Sequence, residues 1–400
     1  VTPAGRTEAA IELLGLVLEG ERPADGVAND YFRARRFIGS SDRRAVADRV
    51  WRVLRAYRRL CWWLRDRPTP RLLTAALVLL DGGTLDDFTG GRFAPDVLAS
   101  SERAVLRRLE GRALDHPSMS DAVRLEVPDW IVGRIAAEDL RALLEPATLD
   151  LRVNLLKATR DEARAALAAE GVEATPTPLS PWGLRIEIRR QVTTGAAFRG
   201  GLVEIQDEGS QLVAALVEAR PGMRVADLCA GAGGKTLALA MMMQNRGQLI
   251  ACDVSAARLD NAVQRLRRAG VHNAERHLLV RGDKWIKRHA EQFDRVLVDA
   301  PCTGTGTWRR NPDARLRLSE DDMAELLPKQ AAILDQAASL VRKAGRLVYA
   351  TCSLLAEENE DQVTAFLSRH PGFTQTDVLA LSPARHATDG FFAMVLERSA

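Results

Sequence analysis

Lysine is nearly absent from this chain, with six residues against fifty arginines in 400. Because the bias runs the whole length, an arginine cluster carries less meaning here than in a balanced sequence. Cysteine is sparse as well: five residues with no short repeated spacing exclude a disulfide framework and a zinc site, and leave reduced thiols. No metal is expected. No apolar run approaches the roughly 18 residues that span a bilayer, and Val1 to Arg6 lacks the apolar stretch of a secretory signal. A cytoplasmic protein without membrane contact is expected, most simply a monomer. Internal repeats and low-complexity segments are lacking, and 46% hydrophobic with 27% charged residues excludes a disordered chain. The net charge of +3 does not by itself call for a polyanionic partner. Its distribution is more informative: residues 1–70 hold fourteen arginines and nine acids, a local balance of +5 compatible with phosphate contacts.

What is present falls into three stretches. Residues 1–125 repeat apolar side chains at helical spacing and are expected to form an all-α domain. One helix is expected from about Arg6 to Glu19, stopped by Gly20 with Pro23 beyond. A second carries the stripe Val46, Val50, Val53, Tyr57, Leu60 and Leu64, with Ser41 as its cap, Pro68 and Pro70 as its close, and Arg44, Arg52, Arg55 and Arg59 on its other faces. Residues 126–205 change character through Pro128 and a short linker helix into a small α+β subdomain. There a strand from Leu151 to Leu156 is followed by Thr159-Arg160-Asp161-Glu162, a capping box that opens a helix ending at Gly171. Strands near Val172 to Thr175 and Leu184 to Ile188 complete a βαββ unit, which serves either as an RNA-binding module or as a structural platform. Residues 206–400 alternate strand and helix: Arg224 to Leu228, helix from Gly234, Gln248 to Cys252, helix from Ala256, Arg276 to Val280, Arg295 to Val298, Arg346 to Tyr349, helix from Glu357. That alternation predicts an α/β domain with a parallel, doubly wound sheet, and Phe391 to Leu396 can add a last strand.

Chemistry concentrates at the ends of these strands. Asp227 to Gly234 places an acid at a strand end and three glycines in the turn before a helix, so backbone can approach a ligand and helix N–H groups can face it. Asp253 ends the next strand, where a carboxylate can accept from ribose hydroxyls. The pair points to an adenosine-containing cofactor. The glycines fit neither Gly-x-Gly-x-x-Gly nor the P-loop spacing, which disfavours NAD and ATP. Asp283, after the third strand, is placed either to meet an adenine amino group or to cap a helix. Two cysteines end later strands, in Asp299-Ala300-Pro301-Cys302 and Ala350-Thr351-Cys352-Ser353; each is either a small buried residue or a nucleophile. Cys61, Cys229 and Cys252 read as structural thiols.

Taken together, these residues resemble the RNA 5-methylcytosine methyltransferases of the RsmB/NOP2/Sun group. Asp227-Leu228-Cys229-Ala230-Gly231-Ala232-Gly233-Gly234-Lys235-Thr236 looks like that family's S-adenosylmethionine loop, with Ala232 where proline is common. Asp299 to Gly306 looks like its fourth motif, and Ala350 to Ser353 with Glu358-Asn359-Glu360 like its sixth. Gln206-Asp207-Glu208-Gly209-Ser210-Gln211 and Arg152-Val153-Asn154 extend the likeness, and Arg35-Arg36-Phe37-Ile38-Gly39 with Asp42-Arg43-Arg44 resembles the NusB-like domain of the bacterial RsmB branch. The resemblance implies a NusB-like helical domain, a small RRM-like subdomain and a Rossmann-type class I methyltransferase domain.

It also implies roles. Cytosine C5 is a poor nucleophile, so a thiolate must first add at C6. The resemblance assigns that addition to Cys352, release to Cys302, contact with the cytosine N3 edge to Asp299, and the hold on cofactor and polar substrate groups to Lys235 and the backbone of Cys229, Ala230, Gly231, Ala232, Gly233 and Gly234. Asp253 then meets the ribose and Asp283 the adenine. The implied substrate is RNA, most directly 16S ribosomal RNA, with transfer RNA as an alternative. Two rivals remain: Cys302 as the attacking thiol, as in DNA cytosine methyltransferases, and a non-catalytic RNA-binding or assembly factor. Trp308-Arg309-Arg310-Asn311-Pro312 reads either as a phosphate contact or as a solvated loop.

Overall fold

A computed structural model, which describes residues 1–65, 68–187 and 191–400, divides the chain into two units: Val1–Glu145 with Trp308–Ser319, and Pro146–Thr307 with Glu320–Ala400. The first is helical: α1 Pro3–Glu19, α2 Ala24–Ala34, α3 Ser40–Arg55, α4 Tyr57–Leu64, α5 Pro70–Leu80 and α6 Ser100–Leu106. Leu13, Leu14, Val17, Val46, Val50, Val53, Leu60 and Leu73 meet in one core. The stripe expected on one helix is shared by two. Ala56 breaks the run, and the N–H groups freed at the start of α4 find the buried carboxylate of Glu126, which accepts from Arg58 N at 2.7 Å, Arg59 N at 3.1 Å and Arg59 Nε at 2.9 Å. A side chain almost seventy residues downstream thus does the work of a local cap. Two boundary readings change: Gly39, not Ser41, holds the cap position of α3, and Pro70 opens α5 behind the Thr69 cap rather than closing the previous helix. Arg44 and Arg52 are exposed as expected, whereas Arg55 is buried and donates to the Arg309 carbonyl at 3.1 Å.

That last contact corrects the reading of Trp308 to Pro312. The segment is neither a solvated loop nor a surface basic patch; it is interior to the helical unit. Trp308 is fully buried, Asp313 accepts from Ala24 N at the start of α2 (3.0 Å), Trp51 Nε1 donates to the Arg310 carbonyl (3.4 Å), and Arg315 donates to the Leu143 carbonyl (2.9 Å).

The second unit holds two sheets. The smaller, ordered β2-β3-β1-β4, joins β1 Leu149–Val153, β2 Thr175–Pro176, β3 Gly183–Ile186 and β4 Val203–Ile205 in antiparallel pairs. The capping box forms: Glu162 N donates to Thr159 Oγ1 (3.3 Å) and Thr159 N to Glu162 Oε2 (2.8 Å), opening the helix Arg160–Ala169. The far end of the third expected strand, Ile188, lies outside the described residues. Arg185 clamps Asp150 through two bonds of 2.8 and 2.9 Å and reaches Glu208 at 3.3 Å, tying this sheet to the helix Glu208–Leu216.

The larger sheet runs β10-β11-β9-β8-β5-β6-β7, with β5 Arg224–Asp227, β6 Gln248–Asp253, β7 Ala274–Leu278, β8 Phe293–Asp299, β9 Val341–Thr351, β10 Phe373–Leu381 and β11 Phe391–Arg398. Its two faces belong to separate cores: Val296, Val298, Leu347 and Tyr349 point into one, Leu297, Val348 and Ala350 into the other. Burial on both sides is why these strands read as unbroken apolar runs. The sheet is mixed rather than wholly parallel. β5 to β9 are parallel, but β11 pairs antiparallel with β9 and β10 with β11, because the short link between β10 and β11 allows a hairpin-like return and no crossover. The helix Glu320–Leu340 and strand β10 were not anticipated. Among the described residues no helix is long and apolar enough to cross a membrane, and no group of three or more His, Cys, Asp or Glu is placed to hold a metal ion.

Candidate active site

The parallel strands deliver their carboxyl ends to one edge, and the sheet order reverses beside β5, so the loops after β5, β6, β8 and β9 open on a common crevice. After β5, Gly231 (φ +55°) and Gly233 (φ +81°) turn the chain into the helix Gly234–Met242. A side chain on Gly231 would enter open space, whereas one on Gly233 would press to 3.0 Å on Ala262, so the second glycine is fixed by helix packing. Arg152 Nη1 donates to the Gly234 carbonyl and Arg265 Nη1 to the Ala232 carbonyl, both at 2.7 Å, and these arginines hold the turn from behind. The Asp253 carboxylate, at the end of β6, accepts from Gly231 N and Ser255 N at 2.8 Å each, which leaves a lone pair on each oxygen for ribose hydroxyls. Asp283 accepts from Trp285 N (2.8 Å) and His277 (2.6 Å), and these bonds hold its carboxyl below the ordinary carboxylate value. Backbone that can be approached and acids with free lone pairs fit an adenosyl group.

The buried Lys235 pairs through Nζ with Oδ2 of the partly exposed Asp299 at 2.7 Å, its ammonium 5.4 Å from the Phe391 ring centroid. Burial works against the Lys235 charge, yet Asp299, its hydrogen bond and the Cys352 sulfur outweigh it and hold the group protonated. Cys302 and Cys352, fifty positions apart in sequence, face each other with sulfurs 3.5 Å apart. The Cys302 thiol is pushed well up, first by its hydrogen bond to Cys352 and then by burial, and either sulfur can be the donor in that contact. Burial also pushes the Cys229 and Cys252 thiols well up, in keeping with structural roles.

Register and close packing set the sulfur positions. Asp299 lies opposite Ala350 in the β8–β9 ladder, and Gly306 N donates to the Cys352 carbonyl at 2.9 Å. Gly390 N in turn donates to the Gly306 carbonyl at 2.9 Å, and a Cβ on Gly306 would sit 2.2 Å from the Gly390 carbonyl oxygen. Backbone meets backbone here, so Gly306→Ala is expected to cost about 1–3 kcal/mol and most of the activity. Denaturant unfolding beside a turnover assay checks this; an unchanged midpoint would refute it.

Four further residues support this site: Thr303, Glu358 and Asn359 lie in the motifs named above without a role assigned to them, and Gln330 carries no signal in the sequence. Glu358 is buried and accepts from Thr303 N (2.8 Å), Thr303 Oγ1 (2.5 Å) and Gln330 Nε2 (2.9 Å). Asn359 accepts from Thr351 Oγ1 (2.5 Å) and donates to the Ser353 carbonyl (3.0 Å).

Comparison with known proteins supplies the family. Residues 214–397 match the 16S rRNA methyltransferase RsmB/F family model, and residues 127–193 match the ferredoxin-like domain of RsmF/B-like methyltransferases. The probable ribosomal RNA small subunit methyltransferase B of Bacillus subtilis is 33% identical over 329 residues, covering 74% of this chain and 73% of that protein. Ribosomal RNA small subunit methyltransferase B of Xylella fastidiosa is 36% identical, with the same coverage of each chain. The crystal structure of PH0851 is similar with a TM-score of 0.80 at 27% identity, covering 100% of this chain and 99% of that one. The chain belongs to the RsmB/F methyltransferase family. This RsmB/F protein is accordingly an S-adenosylmethionine-dependent RNA methyltransferase.

One buried acid gives the methyltransferase a pH signature. Burial pushes the Asp227 carboxyl up to about 7; the Thr236 hydrogen bond (2.7 Å) opposes the rise and the Asp299 charge adds to it. The folded value lies above the unfolded one, so the contribution to stability is full below about pH 4 and is lost as pH rises through 7. Relative to Asp227→Asn, the wild type should therefore lose up to ~4 kcal/mol between pH 4 and 8. Urea unfolding of both proteins across that range checks the sign, and parallel curves would refute it.

Proposed function

We propose that this methyltransferase forms 5-methylcytosine in 16S ribosomal RNA, with Cys352 as the nucleophile and Cys302 serving release. The observation that carries this reading is the pair of sulfurs 3.5 Å apart beside the Lys235–Asp299 ion pair. S-adenosylmethionine, when bound by the Cys229 to Gly234 backbone, Asp253 and Asp283, supplies an electrophilic methyl group on a sulfonium. Lys235 favours negative charge on the Cys352 sulfur, and that thiolate adds to C6 of cytosine while Asp299 holds the N3 edge. Electron density then reaches C5, which becomes able to take the methyl. With Cys352 engaged in the C6–S bond, the charge facing Cys302 is gone; Cys302 can shed its proton to water and accept the C5 proton. The C5–H electrons form the C5=C6 bond, and Cys352 leaves as thiolate.

The helical residues 1–125 are read as a NusB-like RNA-binding domain, residues 126–205 as a linker helix with an RRM-like subdomain, and residues 206–400 as the catalytic domain, in a cytoplasmic monomer. The arginine excess of residues 1–70 supports the first assignment and the ferredoxin-like match the second. Transfer of tritiated methyl to bare 16S RNA, assembled small subunits and transfer RNA tests the substrate. Incorporation into transfer RNA alone would overturn the ribosomal assignment, and binding without incorporation would favour an assembly factor.

A further inference from the structure

We infer that Glu358 is a positioning residue for the release step: its buried carboxylate holds the loop Pro301-Cys302-Thr303 in the place from which Cys302 can reach the reacting ring. The inference rests on the division of labour between Cys352 and Cys302 just given, and adds a residue that touches neither substrate nor cofactor.

Three segments converge on this carboxylate. From the loop after β8, Thr303 gives its backbone N–H and its hydroxyl; from the helix Glu320–Leu340, Gln330 gives Nε2, which also donates to the Pro301 carbonyl at 3.0 Å. The third segment carries Glu358 itself, whose carbonyl accepts from Tyr349 OH at 2.7 Å, anchoring it to β9. The two residues flanking Cys302 are therefore both fastened to the Glu358–Gln330 pair, and Cys352 directly follows β9. Losing the carboxylate strands the Thr303 backbone N–H and leaves Thr303 Oγ1 with only Ser353 Oγ at 3.3 Å and Gln330 Nε2 with only the Pro301 carbonyl, so the loop loses most of its anchorage. Among the described residues no other acceptor meets Thr303 N.

The geometry also separates position from charge. A glutamine at 358 can keep its amide oxygen on Thr303 N and Gln330 Nε2 while its NH₂ donates to Thr303 Oγ1, whose hydroxyl turns to suit. An alanine satisfies none of these groups.

The test uses the full-length protein, 16S RNA and S-adenosylmethionine, with two readouts. Peptide-level iodoacetamide labelling of Cys302 reports whether the loop is held, whichever cysteine attacks. Denaturing gels of protein–RNA adduct, with kcat and KM, report the consequence. Glu358→Ala should raise Cys302 labelling on the order of tenfold as the loop opens locally, lower kcat about 100-fold with KM within about threefold, and accumulate adduct through Cys352. Glu358→Gln should restore labelling and kcat to within about threefold of wild type.

Unchanged Cys302 labelling in a folded Glu358→Ala protein overturns the inference, and so does a Gln variant as impaired as the Ala variant. If the alanine variant does not fold, Thr303→Val and Gln330→Ala each remove part of the same set; unchanged labelling in both overturns it equally. Should Cys302→Ala trap adduct while Glu358→Ala, with its loop opened, does not, Glu358 has no part in release although the reaction scheme stands. Should neither trap adduct while labelling still rises in Glu358→Ala, the division between the cysteines fails and the hold on the loop is supported.

Discussion

Cys302→Ala should accumulate a covalent complex with RNA that survives denaturation, while Cys352→Ala should form none and lose methyl transfer altogether. The two sulfurs are 3.5 Å apart, so proximity alone does not say which attacks, and the trapped state separates the two roles. Cys302 is pushed toward the neutral form by its bond to Cys352 and by burial, which suits it to release rather than to attack. Removing the neutral partner leaves attack intact and impairs the proton transfer that breaks the C6–S bond, so turnover should fall by roughly 10²–10⁴-fold, the usual worth of a positioned acid or base. Electrophoresis of protein–RNA mixtures in denaturing gels, with and without S-adenosylmethionine, checks this. Adduct in the Cys352 variant and none in the Cys302 variant would exchange the two roles.

Lys235→Met should lower kcat by about 10²–10³-fold, the loss seen when a preorganised charge is removed from a water-poor site. Asp299 then stands without its cation, and no positive charge at position 235 favours a thiolate. Alkylation of Cys352 at neutral pH should slow in parallel, which a merely structural lysine would not bring about. Stability should change less than the buried ion pair suggests, because about a third of the Asp299 side chain is exposed and water can replace its partner. Lys235→Arg should not rescue: the guanidinium is planar and larger, and the lysine is enclosed. Wild-type kcat in either variant would remove Lys235 from the chemistry.

What could be read from the residues follows from where the information lies. Asp227 to Thr236, Asp299 to Gly306 and Ala350 to Ser353 are contiguous, each with its acid or cysteine at a strand end, so the sheet edge and its groups were legible together. The Thr159–Glu162 box was legible because both halves of the cap are three residues apart. Glu126 was not, because the helix it caps lies far upstream in sequence. Strand β10 was hidden by its mostly exposed run from Thr374 to Asp377, as befits an edge strand, and the helix Glu320–Leu340 by its acidic start and internal Pro328. Trp308 to Pro312 looked like surface because buried and exposed arginines have the same letter. The carboxylate at 358 has partners at 303 and 330, and only folding adds them up.

The burial of Trp308–Ser319 inside the helical unit also sets an order of events during synthesis. Helices α1 to α6 leave the ribosome first, but the side chains that complete their interior arrive only after β1 to β8 have been made. The amino-terminal unit therefore gains the contacts of Trp308, Asp313 and Arg315 only once the first eight strands have been synthesised.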